Sequence, residues 1–298
     1  PNIKTNECDV LIAVGMRFDD RVTGDTSKYA RQAKVIHIEI DPAEIDKNIQ
    51  TTVALNADAK IALSELLPLV NENSHEGWLQ EFRDCEKVEA EKVSRHECKP
   101  ETGLIKMAEV VCRLSEKTNG DAIVVTDVGQ HQMVTSRYYR FNQPDSNVTS
   151  GGLGTMGFCL PAAMGAKVAQ PNREVLAIIG DGGFQMTLQE LGTISQYKIP
   201  VKIIVLNNNF LGMVRQWQQL FFEKRYAFTE MTNPDFIGIA TAFGIPAKRI
   251  TERQDLLGGI DEMIATDGPY FMEVVVEQEE NVFPMVPSGD SVSNIRLE

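Results

Sequence analysis

Asp181 and Asn208 stand 27 positions apart, each at the end of a short apolar run. A carboxylate and an amide carbonyl, joined by a backbone carbonyl, offer hard oxygen donors of low total charge. Such a set suits magnesium completed by phosphate oxygens and water better than zinc. Residues 175–179 read as a buried strand stopped by Gly180, Asp181, Gly182 and Gly183, where glycines let backbone N–H groups approach an anion. Residues 186–197 then turn helical, with Leu188, Leu191 and Ile194 on one face. A second buried strand over 201–206 ends in Asn207, Asn208 and Asn209. The unit is βαβ. A right-handed crossover makes its strands parallel, so Asp181 and Asn208 emerge at one carboxyl edge, where open α/β sheets bind ligands. One ion can serve both, with a diphosphate as its natural partner.

Two further stretches sit at strand ends. DVGQHQM at 127–133 follows a strand over 122–126, and its His131 has the chemistry of a general base, a phosphate donor or a polar loop residue. GGLGTMG at 151–157 satisfies G-x-G-x-x-G through Gly152, Gly154 and Gly157. A nicotinamide enzyme would need an acidic residue at the end of the next strand, roughly 20 residues on, to hold a ribose hydroxyl. The next strand instead ends in Gly180 and Asp181, which belong to the diphosphate motif.

The elements around these motifs give an α/β fold with a doubly wound, mostly parallel sheet, preceded by part of a second α/β domain. Strands are expected over 10–14, 35–40 and 148–150, and helices over 61–70 and 104–118. The division is 1–70 as a partial domain, 71–100 as a surface helix and linker, and 101–298 as the domain carrying the diphosphate motif. With 298 residues, 43% hydrophobic and 24% charged, the chain can bury a sizeable core. A net charge of −13 argues against nucleic acid as partner. No apolar run approaches the roughly 20 residues of a membrane span. Cys8, Cys85, Cys98, Cys112 and Cys159 form no CxxC pair, so unpaired thiols in a reducing compartment are expected. The chain starts at Pro1 with a strand close behind it, and is expected to be the carboxyl part of a longer protein.

GDGGF followed by the Asn pair resembles the binding signature of thiamine-diphosphate enzymes. The stretches DVLIAVGMRFDDRVTG at 9–24, IHIEIDPAEIDKN at 36–48, SGGLGTMGFCLPAAMGA at 150–166 and LGMVRQWQQLFFEKRY at 211–226 narrow the likeness to the catalytic subunit of acetohydroxyacid synthase, also called acetolactate synthase. The resemblance covers essentially the whole chain and lacks the family's amino-terminal domain. It implies thiamine diphosphate held through Mg2+ by Asp181, Asn208 and the backbone carbonyl of Phe210. Gly180, Gly182, Gly183, Gln130 and His131 would lie beside the diphosphate, Gly154 would offer its carbonyl to the pyrimidine, and Met156 would wedge beneath the cofactor. FAD would be bordered by Arg17, Asp19, Asp20, Arg21 and Asp41. For Asp41 there is an independent rationale, because an Asp ending a parallel strand suits an adenosine ribose. Gly183 stands where many relatives carry Ser, and one hydroxyl contact is lost with it.

Met213, Val214, Trp217 and Phe221 form a helical stripe that core packing alone would explain. By resemblance they wall the pocket of the second 2-keto acid. The implied reaction joins pyruvate to a second pyruvate or to 2-ketobutyrate, giving 2-acetolactate or 2-aceto-2-hydroxybutyrate for branched-chain amino-acid biosynthesis. In that family the Glu that activates the cofactor comes from the amino-terminal domain of a partner subunit. No residue here matches it, so this stretch alone is expected to be inactive. The same likeness implies a homodimer or tetramer of the full-length subunit, a small regulatory subunit, and a cytoplasmic location, or an organelle in a eukaryote. A 2-keto-acid decarboxylase is the alternative within the fold, and a non-catalytic cofactor-binding or regulatory module the alternative outside catalysis.

Overall fold

The computed structural model describes residues 1–298, which divide into two compact units: Pro1–Ser94 with Phe283–Glu298, and Arg95–Val282. In the first, β1 (Val10–Val14), β2 (Lys34–Glu39) and β3 (Val53–Asn56) form a parallel sheet in that order. Between β1 and β2 lies the four-residue helix α1 (Asp20–Thr23). After β3 come α2 (Ala59–Leu66) and α3 (Glu76–Glu89). The small core gathers Ala13, Phe18, Tyr29, Val35 and Val292. Phe18 adopts φ 51° between Arg17 and Asp19, and its ring packs edge-on to Tyr29 and His37. The side chains of Val10, Ile12 and Val14 remain 45%, 51% and 39% exposed, so one face of this sheet has no apolar cover.

Residues 283–298, which sequence reading attached to the second domain, fold with the first unit. Asp25 N–H donates to Asp290 O at 2.9 Å, Gly24 bridges Ser291, and Val292 joins the core. The cause is local. Gly24 has φ 55°, and a Cβ there would stand 2.2 Å from Asp290 O, so only glycine admits this tail.

The second unit holds the larger sheet, six parallel strands in the order β5-β4-β6-β7-β9-β8. Along the chain these run α4 (Met107–Lys117), β4 (Ile123–Thr126), α5 (Gln130–Tyr138), β5 (Asn147–Thr149), α6 (Cys159–Ala169), β6 (Val175–Gly180), α7 (Asp181–Thr187), α8 (Leu191–Tyr197), β7 (Lys202–Asn207), α9 (Gly212–Phe221), α10 (Phe236–Ala242), β8 (Ala247–Ile250), α11 (Arg253–Ala265) and β9 (Tyr270–Val275). Strand residues alternate between two cores. Val124, Leu176, Ile178, Ile204 and Met272 face α4 and α11, while Val125, Ala177, Ile179, Ile203 and Phe271 face α6, α8 and α10. Both faces are covered, which is why residues 175–179 of β6 and 203–206 of β7 are apolar without a break. Each fully buried aliphatic side chain contributes roughly 1.5–3 kcal/mol on leaving water, so the strand ends are held rigidly. From β4 the chain first adds β5 on one side and then β6 on the other. Strand order thus reverses between β4 and β6, and their carboxyl ends form the crevice that doubly wound sheets use for ligands.

Two expectations need correction. The glycines of 180–183 do not simply stop the strand, because α7 begins at Asp181 rather than at residue 186. The sequence looked like a turn because glycine is a poor helix former, costing roughly 1 kcal/mol against Ala. Space explains its presence: a Cβ on Gly182 would stand 2.9 Å from Leu211 Cδ2, and one on Gly183 would stand 2.0 Å from Asp127 Oδ2. Nor are all five thiols unpaired, since Cys98 and Cys112 are joined, leaving Cys8, Cys85 and Cys159 free. Packing of the short helix Arg95–Cys98 against α4 brings their Cα atoms to 5.9 Å across 14 positions, a pairing that no CxxC spacing announces. No helix is long and apolar enough to cross a membrane.

Candidate thiamine diphosphate and metal site

A cavity of about 210 Å³ opens in the crevice between β4 and β6. Gly129, Gln130 and His131 reach it from the end of β4, Gly180–Gly183 from β6, and Asn208 and Phe210 from β7. Three helices, α5, α7 and α9, start at its rim, and none is capped by the side chain of its N-cap residue, although Asp181 itself takes Gly182 N–H in α7. Uncapped N–H groups and the positive ends of three helix dipoles favour an anion there. A larger groove of about 800 Å³ lies around Asp121, Arg173 and Glu174, before β4 and β6. It sits at the amino edge of the strands, away from where such sheets bind ligands, so the smaller cavity is the candidate site.

Asp181 is 2% exposed and no Lys or Arg pairs with it. Burial pushes its carboxyl up, against hydrogen bonds from Asn233 and from the backbone N–H groups of Gly182 and Asn209. A buried carboxylate without a counter-ion is costly, and a bound cation would relieve that cost. Asn209 adopts φ 56°, a left-handed conformation that Asn tolerates, and turns the chain sharply after β7. Asn208 Nδ2 approaches Gln130 Oε1 at 3.5 Å, while its Oδ1 accepts only Phe210 N–H at 3.2 Å and keeps a lone pair. Carboxylate, amide oxygen and anion-binding helix ends fit magnesium and a diphosphate. No cluster of three His, Cys, Asp or Glu side chains offers a softer metal site elsewhere.

His131 Nε2 lies 2.5 Å from Asp127 Oδ1, and Asp127 Oδ2 accepts Gly157 N–H at 2.9 Å. Asp127 is fully buried. This contact fixes the orientation of the imidazole, whose Nδ1 lies beside Gly180. Gln130 Nε2 donates to Gln216 Oε1 at 2.9 Å and to Glu280 O at 2.7 Å, tying α5 to α9 and to the segment after β9.

Most of the site residues expected from sequence meet here. Gln130, His131, Met156, Gly180, Asp181, Gly182, Gly183, Asn208, Phe210, Met213 and Val214 line one cavity. Gly154 does not. It sits at φ 64° in a turn whose N–H reaches Ser150 O. Trp217 and Phe221 also stand off the wall, stacked on each other with centroids 4.8 Å apart. The fully buried side chains of α9 are Arg215 and Gln216, whose polar ends bond the carbonyls of Glu280 and Val282. Hydrophobic periodicity therefore pointed at the half-exposed face of this helix. Asp127 and Asn233 were missed; the i, i+4 spacing of Asp127 and His131 was a readable signal for the first, and nothing in periodicity marks the second.

In the first unit, Arg17, Asp19, Asp20 and Arg21 follow β1, and Asp41 follows β2, at the same edge of adjacent parallel strands. Asp19 accepts Arg21 N–H at 3.1 Å and pairs with Arg17 at 2.7 Å, while Asp41 accepts Ala43 N–H at 2.9 Å. These carboxylates cap short helices and retain lone pairs for a further partner.

Residues 127–274 match the thiamine pyrophosphate enzyme C-terminal TPP binding domain, and residues 2–66 match the thiamine pyrophosphate enzyme central domain. With both domain types present in order, the chain belongs to the thiamine pyrophosphate (thiamine diphosphate) enzymes. Among them it is similar to acetolactate synthase large subunits. It is 46% identical over 296 residues to the acetolactate synthase isozyme 2 large subunit of Escherichia coli (strain K12), covering 99% of this chain and 52% of that protein. It is 43% identical over 308 residues to acetolactate synthase 1, chloroplastic, of Nicotiana tabacum, covering 100% and 46%. Against the probable acetolactate synthase large subunit of Methanocaldococcus jannaschii the figures are 41% over 300 residues, 99% and 50%. The chain spans about half the length of the curated relatives it matches.

Proposed function

We propose that this chain is the cofactor-holding part of an acetolactate synthase, and that the whole protein joins pyruvate to a second 2-keto acid, pyruvate or 2-ketobutyrate. The observation that carries the reading is the cavity between β4 and β6, where Asp181, Asn208 and Phe210 meet three helix starts. Thiamine diphosphate supplies the carbanion chemistry that decarboxylation and carbon–carbon bond formation require. This chain's own residues hold and orient it. Asp181 and Asn208 offer oxygens to magnesium, the first turns of α5 and α7 offer N–H groups to the diphosphate, and Met156 fills the floor. His131, fixed by Asp127, stands beside the anion. Met213 and Val214 at the start of α9 border the space for the second substrate, with Trp217 behind them.

FAD at the β1 and β2 edge is supported by the shared placement of Arg17, Asp19, Asp20, Arg21 and Asp41. The similarity to proteins named as large subunits supports an oligomeric assembly with a small regulatory subunit. The direct test is calorimetric titration of the chain with thiamine diphosphate, with and without magnesium, and with NAD as control. Magnesium-dependent binding of the thiamine compound alone is expected; binding of NAD instead would reverse the assignment. For the whole enzyme, release of acetaldehyde with no acetolactate would favour the decarboxylase.

A further inference from the structure

A line of polar side chains runs from the cavity across four adjacent strands. Asn233, in the loop before α10, places Nδ2 2.7 Å from Asp181 Oδ2, 2.9 Å from Asn207 Oδ1 and 3.0 Å from Asn209 Oδ1. Its own Oδ1 accepts Gln185 Nε2 at 2.8 Å. An amide nitrogen has two hydrogens to give, so three acceptors compete for them. The carboxylate is the strongest acceptor and the nearest, and holds one hydrogen; the two Asn carbonyls share the other. Behind Asn233 the line continues. Asn207 Nδ2 donates to Glu273 Oε1 at 2.7 Å, and Arg249 Nε donates to Glu273 Oε2 at 2.7 Å. Glu273 is 2% exposed, so its charge is held by this guanidinium and amide rather than by water.

Both oxygens of Asp181 are thus fixed before any ligand arrives, Oδ1 by Gly182 N–H at 3.0 Å and Oδ2 by Asn233. With Asn209 N–H also donating to the carboxylate, one lone pair is left for a cation. We propose that Asn233 is the positioning residue of the metal-binding carboxylate, with Asn207, Glu273 and Arg249 anchoring it to the sheet and Gln185 fixing the face of its amide. This rests on the magnesium reading of Asp181. A carboxylate held in its liganding orientation loses less freedom when the cation binds, and partners that orient a ligating carboxylate typically account for 10–100-fold in metal affinity.

The test compares wild type with Asn233→Leu, which keeps the volume and removes the donor, measuring thiamine diphosphate binding as magnesium is varied. The magnesium concentration for half-saturation is expected to rise roughly tenfold or more, while thiamine diphosphate affinity at saturating magnesium returns to the wild-type value. A packing defect would not produce that split. An unchanged magnesium requirement overturns the proposal. If Asn233→Leu does not fold, Gln185→Leu, which frees only the Asn233 amide, is expected to shift the requirement in the same direction, and no shift overturns it. A crystal structure of the ligand-free variant needs no cofactor: the Asp181 carboxylate is expected to rotate from its wild-type position, and an unmoved carboxylate overturns the proposal. Wild type that binds thiamine diphosphate without magnesium would instead defeat the metal reading, leaving the carboxylate orientation to judge Asn233.

Discussion

Gly212 opens α9 at the rim of the cavity, and a Cβ on it would stand 2.1 Å from Gln130 Oε1 and 2.9 Å from Asn208 Nδ2. Gly212→Ala therefore forces the Gln130 side chain out of its place. Gln130 would lose its bonds to Gln216 Oε1 and Glu280 O, yet both acceptors keep another donor, Val282 N–H and Arg215. The two lost bonds are then worth about 1 kcal/mol together, at the low end of the usual range. Crowding in a packed site costs about 1–3 kcal/mol. Against this, Ala is favoured over Gly in a helix by at most about 1 kcal/mol. Destabilisation wins, by about 1–3 kcal/mol. The chain has two Trp, so in a Trp78→Phe background Trp217 fluorescence reports on the second unit alone during urea unfolding. In Gln130→Ala the nearer obstacle is gone and only the end of the Asn208 side chain, at 2.9 Å, has to shift, so Gly212→Ala is expected to cost clearly less there. Equal losses with and without Gln130 would refute the reasoning, as would no loss at all.

Glu280 gives a pH dependence. Burial pushes its carboxyl up despite Lys106 nearby, so its folded value lies above its unfolded one. Stability from this group is complete below the ordinary glutamate value and is lost as pH rises through the raised one. Glu280→Gln is expected to flatten the stability of the second unit as pH rises above the ordinary glutamate value, with its gain largest at the alkaline end, as thermal unfolding against pH would show; a destabilised, equally pH-dependent variant contradicts this. Trp217→Leu in the whole enzyme is expected to shift the ratio of 2-aceto-2-hydroxybutyrate to 2-acetolactate within the 1–3 kcal/mol or so that pocket shape commands. An unaltered ratio with lowered stability would assign Trp217 to packing on Phe221.

Much of the second unit was legible because its strands lie between two covered faces. Runs such as 175–179 and 203–206 are apolar throughout, and the right-handed crossover rule then brings Asp181 and Asn208 to one edge. What escaped reading depended on side chains meeting across the fold. Asn233 comes to Asp181 only through the loop before α10, and Asp127 owes its importance to the space that Gly183 leaves. Arg215 and Gln216 are buried because backbone carbonyls after β9 satisfy them, and a hydrophobic stripe cannot reveal that. The tail after Val282 was misplaced for a similar reason: its packing depends on a single glycine at 24.

The magnesium-dependent affinity of thiamine diphosphate for wild type and for Asp181→Ala tests the metal-diphosphate site most directly. Wild type is expected to bind the cofactor tightly only with magnesium present, and Asp181→Ala to lose the magnesium-dependent part while remaining folded. A folded Asp181→Ala chain with unchanged affinity and unchanged magnesium dependence would contradict the site.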